Sequence, residues 1–292
     1  MTGLGTVLTA IVTPFDGDQR VAAGAFVELM HHLAEHGSDG FVVCGTTGEA
    51  PTLSDEEHLA LIELAVKERP AGATIVAGTG SNDTRHAVFL TERATELGVD
   101  ATLSVTPYYN RPSPRGIVRH YEEIARATDV PVLLYNIPAR TGTNMPPELL
   151  AQLAQIEHID GVKQANAAEL QMIDGLALYA GDDGSFARTL DLGGAGGILV
   201  ASHIVGDEMQ RMAREPDHRA EIDASLRDIY ETLFLTASPT CTKAALNLLG
   251  HEVGGLRLPL IEASERELDA VRRMLERHGL LGAVAGAAAD PA

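Results

Sequence analysis

Lys163 is one of only three lysines, with Lys67 and Lys243, among the 22 basic residues of this 292-residue chain. It lies in Ile159-Asp160-Gly161-Val162-Lys163-Gln164-Ala165, a run that reads as a buried strand. An ammonium in such a place is desolvated, so its pKa falls and a neutral amine able to attack a carbonyl becomes accessible. Lys163 is therefore a Schiff-base candidate. A lysine with a packed stem and a head paired to an acid near the strand end is the other reading, and this residue alone leaves both open.

Other segments carry groups that would complement such an amine. Gly45-Thr46-Thr47-Gly48-Glu49 is a turn whose N–H groups and two hydroxyls can converge on a small anion such as a carboxylate, although a plain turn has the same composition. Tyr135 ends an apolar run; it is either a core tyrosine or, beside an amine and a threonine, a proton shuttle. Arg140, five residues on, serves either a surface ion pair or a two-point grip on a carboxylate. Thr106-Pro107-Tyr108-Tyr109-Asn110-Arg111-Pro112 adds two adjacent tyrosines.

Metal and nucleotide chemistry find less support. His32 and His36 stand one helical turn apart but lack the His-Glu-x-x-His pattern and read as a solvated face. Asp182-Asp183 reads as a loop and helix cap rather than a cation site, and Cys44 as a small buried residue. The glycine-rich turns lack the lysine of a phosphate loop, and Gly78-Thr79-Gly80 lacks the third glycine of a dinucleotide fingerprint. No metal and no cofactor are expected.

These groups need a scaffold that brings distant segments to one place. Short apolar runs at 7–12, 40–44, 74–77, 101–105, 131–137, 161–163, 176–180 and 197–201 alternate with segments of helical period, the signature of a parallel sheet. Eight such runs predict an α/β fold of the (β/α)8 TIM barrel class, in which chemistry gathers at the C-terminal ends of strands. The segments above occupy those ends. Ser54-Asp55-Glu56-Glu57 opens a helix running to about Arg69, Asn82-Asp83 opens one ending near Gly98, and Pro146-Pro147-Glu148 starts a third. Residues 217–250 and 264–279 read as long amphipathic helices, with Leu226, Ile229, Tyr230, Leu233 and Phe234 on one buried face. The expected division is a catalytic barrel at 1–215, a C-terminal helical extension at 216–282, and a tail at 283–292 that lacks core-forming residues and should fray.

A balance of 22 basic against 41 acidic residues, formal net charge -19, argues against nucleic acid and anionic membrane surfaces as partners. Two distant cysteines, no basic leader before an apolar run and no apolar stretch of spanning length point to a cytoplasmic protein.

Taken together, Gly45-Thr46-Thr47-Gly48-Glu49, Thr106 to Pro112, Tyr135-Asn136-Ile137-Pro138-Ala139-Arg140-Thr141, Gly161-Val162-Lys163 and Gly181-Asp182-Asp183 resemble the dihydrodipicolinate synthase and N-acetylneuraminate lyase family of class I aldolases. The resemblance runs from Thr6 to about Leu281. Thr46-Thr47, Tyr109 and Arg140 look like the dihydrodipicolinate synthase branch; neuraminate lyases usually carry Ser-Thr in the first motif and no arginine in the third. The resemblance implies that Lys163 forms a Schiff base with pyruvate, that Thr46 and Thr47 hold its carboxylate, and that Tyr135 shuttles protons through Thr46. It implies further that Tyr109 of a neighbouring subunit completes the relay in a homotetramer built as a dimer of dimers. Arg140 would bind the carboxylate of L-aspartate 4-semialdehyde, with Gly181 and Ile198 also at the substrate site, and the implied product is 4-hydroxy-tetrahydrodipicolinate. A related pyruvate aldolase acting on a sugar acid and a non-catalytic pyruvate-binding barrel are the alternatives.

Some positions depart from that pattern. Gln164-Ala165-Asn166 stands where the family usually has Glu-Ala-Thr/Ser-Gly, and seventeen residues separate Lys163 from Gly181, so the helix after the sixth strand must be short. Gly196-Gly197-Ile198-Leu199-Val200 stands where Gly-Val-Ile-Ser-Val is common. A regulatory site for L-lysine, known in some members, would fall at Ala50, Asp55, His58, Asn82, His86 and Tyr108. His86 replaces the glutamate of lysine-sensitive members, so weak inhibition or none is expected.

Overall fold

Eight parallel strands close on themselves in the computed structural model, which describes residues 3–281. They are β1 (Val7–Ala10), β2 (Gly40–Val43), β3 (Thr74–Gly78), β4 (Ala101–Val105), β5 (Val132–Asn136), β6 (Ile159–Gln164), β7 (Ala177–Ala180) and β8 (Gly196–Leu199), in chain order around the barrel, with β8 pairing β1. The expected fraying of residues 283–292 lies outside the described range. The helices are α1 (Ala23–Glu35), α2 (Asp55–Lys67), α3 (Thr84–Leu97), α4 (Pro114–Ala125), the single turn α5 (Pro138–Thr141), α6 (Pro147–Leu153), α7 (Phe186–Asp191) and α8 (Ser202–Arg214), followed by α9 (Arg219–Leu233), α10 (Thr240–Leu248) and α11 (Glu265–Arg277). The chain is thus a (β/α)8 TIM barrel with C-terminal helices, as the alternation of runs predicts.

Strands buried on both faces explain why the runs are continuously apolar instead of alternating. On β2, Val42 joins Leu8, Val76, Leu103, Leu133, Tyr135, Tyr179 and Ile198 inside the barrel, while Phe41 and Val43 pack outward with Phe26, Met30 and Leu33 of α1. The helix signals act as read. Ser54 and Glu57 form a capping box on α2, Asp83 caps α3 by accepting the Arg85 N–H, and Gly98 ends that helix in the left-handed conformation. His203 at the start of α8 ties two strand ends together: Nε2 accepts the Val12 N–H at 3.2 Å, so Nδ1 carries the proton and donates to Val200 O at 2.8 Å. Burial pushes its pKa down to about 4, which keeps it in that neutral form.

Three expectations require correction. Residues 217–250 form two helices, not one: α9 stops at Leu233 and Pro239 precedes α10, because proline supplies no N–H and its ring blocks the preceding helical turn. Phe234, placed by spacing on the buried face, follows the end of α9 and is exposed, whereas Leu226, Ile229, Tyr230 and Leu233 are buried against α8 and α11. His32 and His36 are not simply solvated; the His32 ring contacts His36 and His251 at centroid distances of 4.1 and 4.4 Å, joining α1 to the segment after α10.

The link from β6 to β7 is indeed short. One 3-10 turn, Ala167–Glu169, replaces a helix. Polar side chains hold it: Asn136 Nδ2 donates to Gln164 Oε1 at 3.1 Å, the Asn166 N–H donates to the same oxygen at 2.9 Å, and Asn144 Nδ2 donates to the Glu169 carboxylate at 2.9 Å. Gln164 serves this network because its amide oxygen accepts two N–H groups while the buried position carries no charge.

Candidate active site

Parallel pairing sets Tyr135 on β5 beside Lys163 on β6, and Lys163 beside Tyr179 on β7. Lys163 and Tyr135 lie near the C-terminal ends of their strands. The Lys163 Nζ sits 4.3 Å from the centroid of the Tyr135 ring. Burial lowers the lysine's pKa to about 8; Arg140 pushes the same way, while Asp183 and Asp182 oppose it. Burial raises the Tyr135 phenol to about 12, against the pull of Arg140 and of a side-chain hydrogen bond with Thr46. Lysine, tyrosine and threonine are thus brought together as expected.

The Thr46-Thr47 turn is held tightly. The Glu49 N–H donates to Thr46 O at 3.1 Å, and Thr13 Oγ1 donates to Gly48 O at 2.6 Å. Cys44 and Glu49, on either side, both adopt left-handed φ of 55°, a conformation costly for side-chain-bearing residues and tolerated where surrounding contacts impose it. Thr47 is buried. The Cys44 thiol is buried too, and burial pushes it far above its ordinary range, as its reading as a packing residue requires.

Arg140 rises from β5 on α5 and is exposed, yet it lines a cavity of about 440 Å³ together with Thr46, Tyr135 and Lys163. Ala50, Asp55, His58, His86 and Tyr108 line the same cavity. There His86 Nε2 is 3.0 Å from Asp55 Oδ1, and His58 Nε2 donates to Gly78 O at 2.8 Å. Asn82 is placed beside this group, its Nδ2 donating to Tyr108 O at 3.2 Å. Ile198 lies within the barrel core against Tyr135 and Tyr179. Gly181 donates its N–H to Gln164 O at 2.8 Å, and a Cβ there would stand 2.5 Å from Ala165 N, so only glycine fits. Tyr109 is not brought in by this chain, being 91% exposed with φ of 71°, and Thr47, Gly181 and Ile198 do not line the cavity either.

Among the described residues no group of three His, Cys, Asp or Glu is placed to hold a metal, and no helix is long and apolar enough to cross a membrane. The Asp182-Asp183 doublet divides its work. Asp182 Oδ1 accepts the Ser185 N–H at 2.9 Å as a cap, and Asp183 is buried, its Oδ1 accepting the N–H groups of Val200 and Ala201 at 2.9 and 3.0 Å.

The model of the dihydrodipicolinate synthetase family matches residues 3–278. The chain belongs to that family. Two relatives named 4-hydroxy-tetrahydrodipicolinate synthase, from Heliobacterium modesticaldum and Desulforudis audaxviator, are 42% and 43% identical to it, over 94% and 95% of this chain and 96% and 98% of theirs. Among solved structures, the enzyme of Cyanidioschyzon merolae with lysine bound is 40% identical, with a TM-score of 0.92 over 96% of this chain and 99% of that one. The chloride-inhibited dihydrodipicolinate synthase of Acinetobacter baumannii complexed with pyruvate is 34% identical, with a TM-score of 0.91 over 95% and 100%.

In this member of the dihydrodipicolinate synthetase family one acid of the doublet read from the sequence as a loop and helix cap acts on the amine instead. Asp183 is the acid that most opposes the fall of the Lys163 pKa, and burial raises its own pKa to about 6. A second acid immediately after the seventh strand was the available signal, since strand ends are where this fold places its chemistry.

Proposed function

We propose that the chain is a Schiff-base lyase that condenses pyruvate with L-aspartate 4-semialdehyde to 4-hydroxy-tetrahydrodipicolinate. The observation that carries this reading is the buried Lys163 amine, held against Tyr135 in a cavity whose rim bears Arg140. With its pKa lowered to about 8, roughly a tenth of Lys163 is neutral near pH 7, against about 0.04% for a free lysine. The neutral amine adds to the keto carbon of pyruvate and expels water as the imine forms. Loss of a methyl proton gives the enamine, whose carbon attacks the aldehyde of the second substrate; the amino group of that substrate then displaces the lysine from the imine carbon, closing the ring and freeing Lys163. Thr46 and Thr47 hold the pyruvate carboxylate, and Tyr135 passes protons through Thr46. A sugar-acid substrate is less well served, because Arg140 offers a carboxylate grip rather than hydroxyl contacts.

Incubation with pyruvate and borohydride, followed by mapping of the modified residue and a condensation assay with the semialdehyde, tests the proposal. One three-carbon unit at Lys163 is expected. Modification at Lys67 or Lys243 instead, or trapping without condensation, would reject it.

Arg140→Ala should leave imine formation intact and raise the KM for the semialdehyde about 10- to 150-fold, the equivalent of a charge-assisted hydrogen bond of roughly 1.5–3 kcal/mol. Steady-state kinetics with each substrate varied in turn separates the two; loss of pyruvate binding with an unchanged semialdehyde KM would assign Arg140 to the first substrate.

Tyr109, exposed on the single chain, fits a role in a neighbouring subunit's relay, within a cytoplasmic homotetramer assembled from two dimers. Ala50, His58, Asn82, His86 and Tyr108 would form a lysine site in which His86 cannot pair with an ammonium, and Asp55 is already engaged by His86. Inhibition by L-lysine should therefore be weak, and His86→Glu should strengthen it. Initial rates at saturating substrates check this; strong inhibition of the wild type at submillimolar lysine would contradict it.

A further inference from the structure

The Thr46-Thr47 turn is anchored from outside the barrel by an ion pair whose other half belongs to the C-terminal helices. Glu49 closes the turn, and its carboxylate reaches toward α10, with Oε1 2.6 Å from Lys243 Nζ and Oε2 accepting the Arg257 N–H at 3.0 Å. The Lys243 and Glu49 side chains are 1% and 0% exposed. Lys243 also donates to Gly255 O at 2.7 Å and lies 4.2 Å from the centroid of the Phe15 ring. The Arg257 guanidinium packs on the same ring at 4.4 Å and grips both carboxylate oxygens of Glu57 on α2, at 2.6 and 2.7 Å. Gly254 makes this approach feasible: its φ is 68°, and a Cβ there would stand 1.8 Å from Phe15 O.

A buried ion pair gives little net stability beyond a packed apolar pair, because both ions lose their hydration. What this one supplies is position. An ammonium with three partners and a fixed backbone N–H together define one orientation for the Glu49 carboxylate, and Glu49 in turn bonds back to Thr46.

We propose that Glu49 and Lys243, supported by Arg257, are positioning residues for pyruvate: they hold the Thr46 and Thr47 groups at the spacing that grips its carboxylate. The C-terminal helices thereby govern a site to which they contribute no substrate contact. The inference rests on the assignment of Thr46 and Thr47 to pyruvate.

The test compares the full-length wild type with Glu49→Gln and with the double variant Glu49→Gln/Lys243→Met, which leaves no buried ion unpaired within the pair. Pyruvate affinity is read from the concentration dependence of borohydride trapping at Lys163, and the semialdehyde KM from steady-state rates. The variants should need about ten- to a hundredfold more pyruvate, the scale expected for a displacement near 1 Å, while the semialdehyde KM stays unchanged. A purely structural role would lower the melting temperature without separating the two substrates. Folded variants that trap pyruvate at wild-type concentrations overturn the inference.

A measurement on the wild type alone stands in if the variants do not fold. Pyruvate should slow amide exchange at residues 45–49 and also at 254–257; slowing confined to the barrel would equally overturn it. Absence of trapping at Lys163 in the wild type defeats the functional reading itself, whereas normal trapping in both wild type and variants defeats only the positioning role.

Discussion

Lys163→Arg should abolish both pyruvate trapping and condensation, because a guanidinium remains protonated at any working pH and forms no imine. The other two lysines cannot substitute. Lys67 is exposed on α2 beside Glu68, away from the cavity that Lys163 lines, and Lys243 is buried but paired with Glu49. The same argument fixes a pH dependence in the wild type. The reactive form is the neutral amine, so the rate of imine formation at limiting pyruvate should rise with pH and level off above about 8, where burial has placed the lysine's pKa. Single-turnover trapping across pH 6 to about 10.5 checks this, the upper limit reaching the free-lysine range. A profile still rising through that limit would mean that burial does not tune the amine, and activity in Lys163→Arg would remove the Schiff base from the mechanism altogether.

The barrel was legible because each of its strands is buried on both faces and each connection carries its own punctuation. The run ending at Val105 and the Asn82-Asp83 start of α3 needed no tertiary information. Lys163, Tyr135, Thr46 and Arg140 were legible as a set for a related reason: the fold sends every strand end to one face, so position within each segment already predicts proximity. What stayed hidden depends on contacts between distant segments. Nothing local marks Glu49 as a buried acid before α10 brings Lys243 to it, and nothing local in Thr240–Leu248 announces that partner. Asp183 reads as a cap because caps are what acids after strands usually make; its burial follows from the N–H groups at the end of β8, far along the chain. The merging of α9 and α10 into one expected helix is different. Pro239 was visible, and its lack of a donor should have outweighed the apolar period around it.

Tyr135→Phe should lower kcat by about 10²- to 10⁴-fold, the usual worth of a positioned proton-transfer group, while altering pyruvate binding little. The ring stays, so the packing against Lys163 and the burial that lowers its pKa are preserved, and the imine should still be trapped by borohydride at equilibrium. Only the hydroxyl is lost. With its pKa raised to about 12, that hydroxyl is a neutral phenol at working pH, which makes it a relay that accepts a proton only as it gives one away. It therefore needs the hydrogen bond with Thr46, and removing the Thr46 hydroxyl should break the same chain at its next link. Thr46→Val and Tyr135→Phe should then be strongly non-additive, the double variant being little slower than the slower single one. Stopped-flow imine formation alongside steady-state turnover separates these effects. A loss in Tyr135→Phe smaller than about tenfold would reduce Tyr135 to a packing residue, and full additivity with Thr46→Val would mean that the two hydroxyls act on different protons.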